Sequence, residues 1–230
     1  NFLWTGYFYH RSPEMDLYWT RDLVTHSATV ANAARPEGSR PQALVDAGVL
    51  GWGEFGCPLE TGGSGEDQST GRVDSEGRTV GGIPCFNNPR ALQKMDEAVA
   101  RKAADLAASP WVRYGHMGDE TQFGNCYCEH CQKAFREEFG YELPQVKDDF
   151  SAAYLDRWID YCLFKNRAVG KMYARAAQIA HQENPGIKMF ASLPQSGGMA
   201  HGDDQFNTQS GFDLLWDHSY PGTMVIRVGF

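Results

Sequence analysis

The feature that most constrains the fold is a repeated alternation of short apolar runs with amphipathic stretches. The apolar runs predict strands at 3–9, 29–33, 49–55, 111–120, 187–193 and 212–220, with a further strand beginning at 223. Helices are predicted between them at 13–23, 41–47, 91–106 and 150–181. We expect the long helix to bury Tyr154, Leu155, Trp158, Ile159, Cys162 and Val169. Strands that alternate with helices favour a parallel sheet with crossover helices.

Polar and aromatic residues gather at the C-terminal ends of the predicted strands, namely Glu54, Glu120, Gln195, His218 and Tyr220. A (β/α)₈ barrel builds its active site at that face. The sequence therefore predicts an α/β fold of the TIM-barrel type over residues 1–230, with six to seven strands present. Because a complete barrel takes about 250 residues, we expect this one to be incomplete. A doubly wound sheet is the alternative, but no glycine-rich phosphate fingerprint follows a predicted strand.

Charge and composition narrow the classes of partner. A net charge of −8 argues against nucleic acid, whose phosphates require a basic surface. No apolar run approaches the roughly 20 residues of a transmembrane helix. We expect no membrane partner, and a homo-oligomer is compatible with the sequence. The chain begins at Asn1 and carries no visible targeting segment, so we expect a processed product or part of a longer protein, in a compartment that the sequence leaves open.

Residues 56–82 are crowded with Gly, Ser, Thr, Asp and Glu. This composition predicts one long polar surface loop. A loop of that length inside a compact domain is usually functional or mobile.

Three of the six cysteines fall within six positions, at Cys126, Cys128 and Cys131, and Cys85 lies upstream of them. A Cys-x-Cys-x-x-Cys cluster with one distant cysteine suits a tetrahedral all-thiolate site. Thiolates favour zinc over magnesium or calcium, and a closed site leaves no position for substrate. We therefore expect a structural zinc that holds a loop at about 85–131. Reduced thiols, or a redox pair at Cys128 and Cys131, are the alternatives; Cys57 and Cys162 are left over.

The run Gly118-Asp119-Glu120 delivers a carboxylate at the end of the predicted strand 111–120. Strand alternation predicts that Tyr114, His116, Gly118 and Glu120 share one face. A partly desolvated carboxylate there could donate a proton. Glycoside hydrolysis uses two such groups, about 5–5.5 Å apart for retention or 6.5–9.5 Å for inversion. The alternative is that Asp119 and Glu120 merely cap a strand and face solvent.

The segment from about Val73 to Gly140 resembles glycoside hydrolase family 42, the zinc-containing β-galactosidases of the large retaining (β/α)₈ clan. The resemblance rests on the Cys-Phe-Asn-Asn-Pro turn, the cysteine cluster and the following run 131–136. It implies the zinc ligands Cys85, Cys126, Cys128 and Cys131. It also implies that Glu120 is the acid/base residue, at the end of the fourth strand. Residues 212–221 resemble the family's sixth strand, which implies that Tyr220 lies at the active-site rim.

Three departures from the family pattern bear on function. Asp119 stands where the clan has an asparagine that holds the sugar 2-hydroxyl, and an ionised aspartate cannot donate a hydrogen bond. Gly81 stands where the family has a substrate-binding arginine. The family's nucleophile belongs on the seventh strand, beyond the end of this chain.

Four further residues are candidates for contact with substrate or for the second carboxylate. Glu54 and Asp217 lie near strand ends, where each is either a second carboxylate or a polar rim residue. Trp52 either stacks on a sugar or packs in the core. His116 is either a hydrogen-bonded lumen histidine or a ligand contact.

We therefore expect a glycosidase that acts on β-linked sugars by retaining double displacement. Its substrate would be an oligosaccharide or glycoside. Glu120 would be the general acid/base, Asp119 would orient substrate or tune the proton on Glu120, and the nucleophile would lie outside this chain. A non-catalytic sugar-binding or structural barrel is the rival hypothesis, and a hydrolase of an acidic or modified sugar is a third.

Overall fold

A computed structural model describes residues 5–6, 30–32, 50–55, 68–109, 111–119, 123–145, 151–193, 211–214 and 216–217. Its main sheet has six parallel strands: β1 (Thr5–Gly6), β2 (Val30–Asn32), β3 (Leu50–Glu54), β6 (Val112–Asp119), β7 (Lys188–Leu193) and β8 (Trp216–Asp217). Their order in the sheet is β1-β2-β3-β6-β7-β8, which is also their order along the chain. A doubly wound sheet reverses its order at a switch point. The described strands show no reversal, as in a barrel.

The positions of five predicted strands are confirmed, because β1, β2, β3, β6 and β7 lie within 3–9, 29–33, 49–55, 111–120 and 187–193. The prediction for 212–220 is wrong at its start, where residues 211–214 form a turn and a bend. The reason is the Asp213 carboxylate, which accepts a 2.8 Å hydrogen bond from the backbone N–H of Met189 and turns this segment towards β7. The predicted helices at 13–23 and 41–47 and the strand after 223 lie outside the described residues.

Three helices accompany the described strands: α1 (Pro89–Ala107), α2 (Glu129–Phe139) and α3 (Ala152–Glu183). The Asn88 side chain caps α1 by accepting from the N–H of Arg90 at 3.0 Å. The α2 helix ends at Gly140, whose φ of 78° favours glycine. Helices α1 and α3 pack together against one face of the sheet, where they enclose a core that includes Met95, Val99, Met117, Val169, Tyr173, Met189 and Ala191.

The N-terminal turns of α3 expose two residues that the sequence predicted to be buried. Leu155 and Ile159 are 40% and 51% exposed, whereas Cys162 and Val169 are buried as predicted. Trp158 packs against Tyr161 with ring centroids 5.4 Å apart, so it marks the covered side of these turns. None of the helices among the described residues is both long enough and apolar enough to span a bilayer.

A β-hairpin occupies the second half of the predicted polar loop. After a 3₁₀ turn at Gln68–Thr70, strands β4 (Gly71–Val73) and β5 (Thr79–Pro84) pair antiparallel. Asp74 shapes the turn between them, because its carboxylate accepts from the backbone N–H groups of Glu76 and Arg78, both at 2.9 Å. The prediction of one continuous loop over 56–82 therefore differs from the structure after residue 67. The polar composition concealed two short strands on either side of an exposed turn at 75–78.

Candidate active-site edge and four-cysteine centre

The carboxyl end of β3 and the middle of β6 bring Glu54 and His116 together. The two residues are paired in the sheet register, and the N–H of Phe55 donates to the carbonyl of His116 at 2.9 Å. The His116 ring Nδ1 lies 3.0 Å from Oε1 and 2.9 Å from Oε2 of Glu54. A single ring nitrogen therefore contacts both oxygens of the carboxylate, at the edge where a parallel sheet places its functional groups.

Aromatic side chains hold the imidazole of His116 in place. The ring stacks on Phe190 with centroids 4.8 Å apart and planes 23° apart, and Trp52 lies 6.1 Å away. His116 and Trp52 are both buried. Trp52 thus packs in the core and His116 is hydrogen-bonded, and contact of either residue with substrate stays a prediction. The Glu54 side chain, by contrast, is 30% exposed.

A β-bulge near Gly118 changes the side-chain alternation predicted for β6. His116 pairs with Phe190, but the next pair joins Asp119 to Ser192. Over this interval β6 advances three residues and β7 advances two. Gly118 has a φ of 102°, a conformation that favours glycine. The prediction that regular alternation runs through Gly118 to Glu120 is therefore wrong. The backbone of Asp119 takes the register position that Gly118 would hold in a regular strand.

Several predicted site residues cannot be placed in this geometry. Glu120, Tyr220 and Cys57 lie outside the described residues, and Asp119 and Asp217 are described through their backbone alone. The roles predicted for Glu120, Asp119 and Tyr220 stay predictions.

The four predicted metal ligands converge. The Sγ atoms of Cys85, Cys126, Cys128 and Cys131 all lie within 4.8 Å of one another. Cys85 Sγ is 3.4 Å from the Sγ atoms of both Cys128 and Cys131. A tetrahedral ion with metal–sulfur bonds of about 2.3 Å places its ligand sulfurs about 3.8 Å apart. The cluster therefore could hold a metal ion, and a redox pair of Cys128 and Cys131 alone would leave two converging cysteines unexplained.

Backbone hydrogen bonds from three elements fix the cysteines. The N–H of Cys85 donates to the carbonyl of Thr70 at 2.9 Å, at the base of the hairpin. The N–H of Tyr127, between two of the cysteines, donates to the carbonyl of Val73 at 2.7 Å. The Tyr161 hydroxyl of α3 accepts from the N–H of Cys126 at 2.8 Å and lies 3.2 Å from its carbonyl. The hairpin, the loop after β6 and α3 thus meet at the cluster.

The surroundings of the sulfur atoms are dry and aromatic. Phe135, Tyr161 and Phe164 pack against Cys85, Cys126 and Cys131 in one buried cluster. Hydrogen bonding to Cys126 first, and then to Cys128, raises the pKa of Cys85 and of Cys131 far above that of an ordinary thiol. A dication bound by all four sulfur atoms would displace the protons held there.

Sequence reasoning missed three residues that support this region. Asn87 donates from Nδ2 to Cys131 Sγ at 3.3 Å, the outer-shell contact typical of a thiolate ligand. Its position two residues after Cys85 was the available signal. Tyr161 had none, because it lies 35 residues from Cys126. Arg72 of β4 lies against the backbone of Gly124, so close that a Cβ added to Gly124 would stand 1.9 Å from its Nη1.

The chain matches no protein-family model and no curated protein sequence. It is similar to solved structures. One is a β-galactosidase from Bacillus circulans sp. alkalophilus, with a TM-score of 0.68 and 17% identity over 97% of this chain and 41% of that one. Another is Gan42B, a family GH42 β-galactosidase from G. stearothermophilus, with a TM-score of 0.68 and 14% identity over 97% and 41%. The catalytic domain of a β-amylase from Paenibacillus polymyxa follows, with a TM-score of 0.55 and 10% identity over 91% and 71%.

These similarities show the fold. The chain has the fold of the TIM-barrel glycoside hydrolases and spans about two fifths of the length of the two β-galactosidases, 41% in each case. The α/β class predicted from the sequence is confirmed at this level. An incomplete barrel, and membership of family 42 in particular, stay predictions.

Proposed function

We propose that this chain forms part of a retaining glycosidase for β-linked, galactoside-like sugars. The observation that carries the proposal is the convergence of four cysteines, three of which follow β6 in the sequence, in a chain whose main sheet keeps its strands in chain order. β6 ends at Asp119, and Glu120 is the next residue in the sequence. Likeness to β-galactosidases adds support through the fold alone.

In this mechanism Glu120 protonates the departing glycosidic oxygen and later deprotonates the incoming water. Asp119 orients the substrate or tunes the proton on Glu120. The second carboxylate, the nucleophile, comes from outside these 230 residues. Glu54, at the end of β3, and Tyr220 contact the sugar in this proposal.

Zinc is the ion that we propose for the cysteine cluster. Four thiolates in dry surroundings suit zinc, and all four positions of a tetrahedral ion are then filled by protein. The ion would stabilise the fold and contact no substrate. Through the hydrogen bonds of Cys85 and Tyr127, the cluster ties the hairpin to the loop that follows β6.

The substitution Glu120→Gln tests the proposal in the full-length protein. We expect turnover of an aryl β-galactoside to fall at least about 10²-fold, because the amide cannot transfer the proton. Melting temperature and metal content should stay those of the native protein. Glu183→Gln, at an exposed carboxylate at the end of α3, is the matched control and should keep full turnover. Full activity in Glu120→Gln would refute the assignment.

A non-catalytic sugar-binding barrel is the second candidate. Asp119 in place of the expected asparagine and Gly81 in place of the expected arginine favour it. Binding of a galactoside by the full-length protein without any cleavage would support this candidate over the glycosidase.

A further inference from the structure

We propose that the Glu54 carboxylate is a fixed acceptor for two neighbouring hydroxyl groups of a neutral sugar, with His116 as its positioning residue. The inference rests on the proposed function and names the substrate class: an uncharged sugar rather than an acidic one. It is carried by the geometry of the pair formed by Glu54, at the carboxyl end of β3, and His116 of β6.

The first step is that the carboxylate cannot rotate freely. Nδ1 of His116 approaches both oxygens at nearly equal distances of 3.0 and 2.9 Å, which fixes the plane of the carboxylate. The imidazole is itself buried and stacked on Phe190, with Trp52 beside it. A group held this way loses little further freedom when a ligand binds, so its hydrogen bonds contribute more to affinity.

The second step concerns the remaining acceptor sites. A carboxylate offers about four lone-pair sites on its two oxygens, and Nδ1 occupies the inner side of the pair. Among the residues that the structure describes, His116 is the polar partner of Glu54. The ring is 1% exposed and the carboxylate 30% exposed, so the open side of the pair is the carboxylate. Two adjacent acceptors facing outward match two adjacent hydroxyl donors.

The third step concerns charge. A carboxylate accepts hydrogen bonds, so the contacts of 3.0 and 2.9 Å match a His116 ring that carries a proton on Nδ1. An acidic sugar would bring a second carboxylate close to this one, and juxtaposed like charges repel each other. The pair therefore selects neutral sugars and disfavours the acidic sugars that the sequence left open.

The experiment measures binding by calorimetry in the full-length protein. The probes are phenyl 1-thio-β-galactoside, which resists hydrolysis, its four monodeoxy analogues and the corresponding galacturonide. We expect Glu54→Gln to weaken binding of the parent galactoside roughly 10- to 100-fold, the scale of hydrogen bonds to a charged group. Two of the monodeoxy analogues, which lack one or the other of two adjacent hydroxyls, should bind the native protein weakly. The Glu54→Gln substitution should weaken their binding little further. In His116→Gln, the difference in affinity between the parent galactoside and these two analogues should be smaller than in the native protein. Glu97→Gln, at an exposed carboxylate of α1, is the matched control.

Several outcomes would overturn the inference. One is unchanged affinity in Glu54→Gln; another is a native protein that binds the galacturonide more tightly than the neutral galactoside, a comparison that needs no variant. If Glu54→Gln fails to fold, Glu54→Asp takes its place, since it keeps the charge but shortens the side chain by one methylene. Glu54→Asp must then weaken binding of the parent galactoside in the same way. If the native protein binds none of the probes, the proposed function fails as well. Loss of turnover in Glu120→Gln together with normal binding in Glu54→Gln would overturn this inference alone.

Discussion

Replacement of Cys85 by serine tests whether the cysteine cluster holds the fold together through a metal ion. Cys85 is separated from Cys128 and Cys131 by 43 and 46 residues. Tethering groups so far apart removes denatured-state entropy worth about 4 kcal/mol, if a metal link is treated like any cross-link of that loop length. In a chain of 230 residues each kcal/mol shifts the melting temperature by about 2–4 °C. We therefore expect Cys85→Ser to melt roughly 8–16 °C below the native protein.

The assay combines thermal unfolding, followed by circular dichroism, with metal analysis of the purified full-length protein. The native protein should carry one metal ion per chain, and a strong chelator should lower its melting temperature towards that of Cys85→Ser. The variant itself should respond little to the chelator. Cys162→Ser is the matched control, because Cys162 is equally buried but lies in α3, outside the cluster.

Two results would refute the reasoning. The first is a Cys85→Ser protein that melts with the native protein and keeps its metal. The second is a native protein whose melting temperature does not change when the chelator is added. A Cys162→Ser variant that loses as much stability as Cys85→Ser would show that loss of any buried thiol has this effect.

Two further predictions concern the sheet. Gly118→Ala should destabilise the protein by about 1–3 kcal/mol in urea unfolding, because alanine at a φ of 102° is strained; an unchanged midpoint would show that the bulge does not require glycine. Burial raises the pKa of Asp213, but hydrogen bonds from Met189 and Lys188, together with His181, outweigh burial and hold this pKa below its ordinary value. Asp213 then contributes stability above about pH 4, which is lost as the pH falls through the lowered pKa. Asp213→Asn should cost roughly 1.5–3 kcal/mol at pH 7, and this difference should shrink as the pH falls below about 4; a difference that does not change with pH would contradict this.

The periodic parts of the fold were predictable from sequence because burial acts there through local spacing. The helix predicted at 91–106 forms, and its Met95 and Val99, one helical turn apart, lie in the core. The same rule failed at Leu155 and Ile159, because spacing does not show how far a neighbouring element extends over a helix. The hairpin was missed because its strands are short, at three and six residues, and the turn that joins them is exposed at 75–78.

At the candidate site, the sequence predicted which residues take part better than it predicted how their side chains are arranged. The convergence of the four cysteines followed from metal-ligand spacing alone. Glu54 and His116 lie on different strands, 62 residues apart in the sequence, and no local sequence pattern predicts such a contact. The bulge at Gly118 inserts one residue into β6, and a single inserted residue reverses the face of everything after it.

The long interval between Cys85 and the other three ligands has a consequence for how the protein is made. A ribosome adds about 5–20 residues per second, so Cys131 follows Cys85 out of the tunnel after roughly 2–9 s. During that interval the newly made hairpin lacks two kinds of partner. These are the other three cysteines of the cluster and the Tyr127 N–H that donates to the carbonyl of Val73. A metal ion held by all four sulfur atoms could therefore be captured only after Cys126, Cys128 and Cys131 have been made, since they follow Cys85 in synthesis.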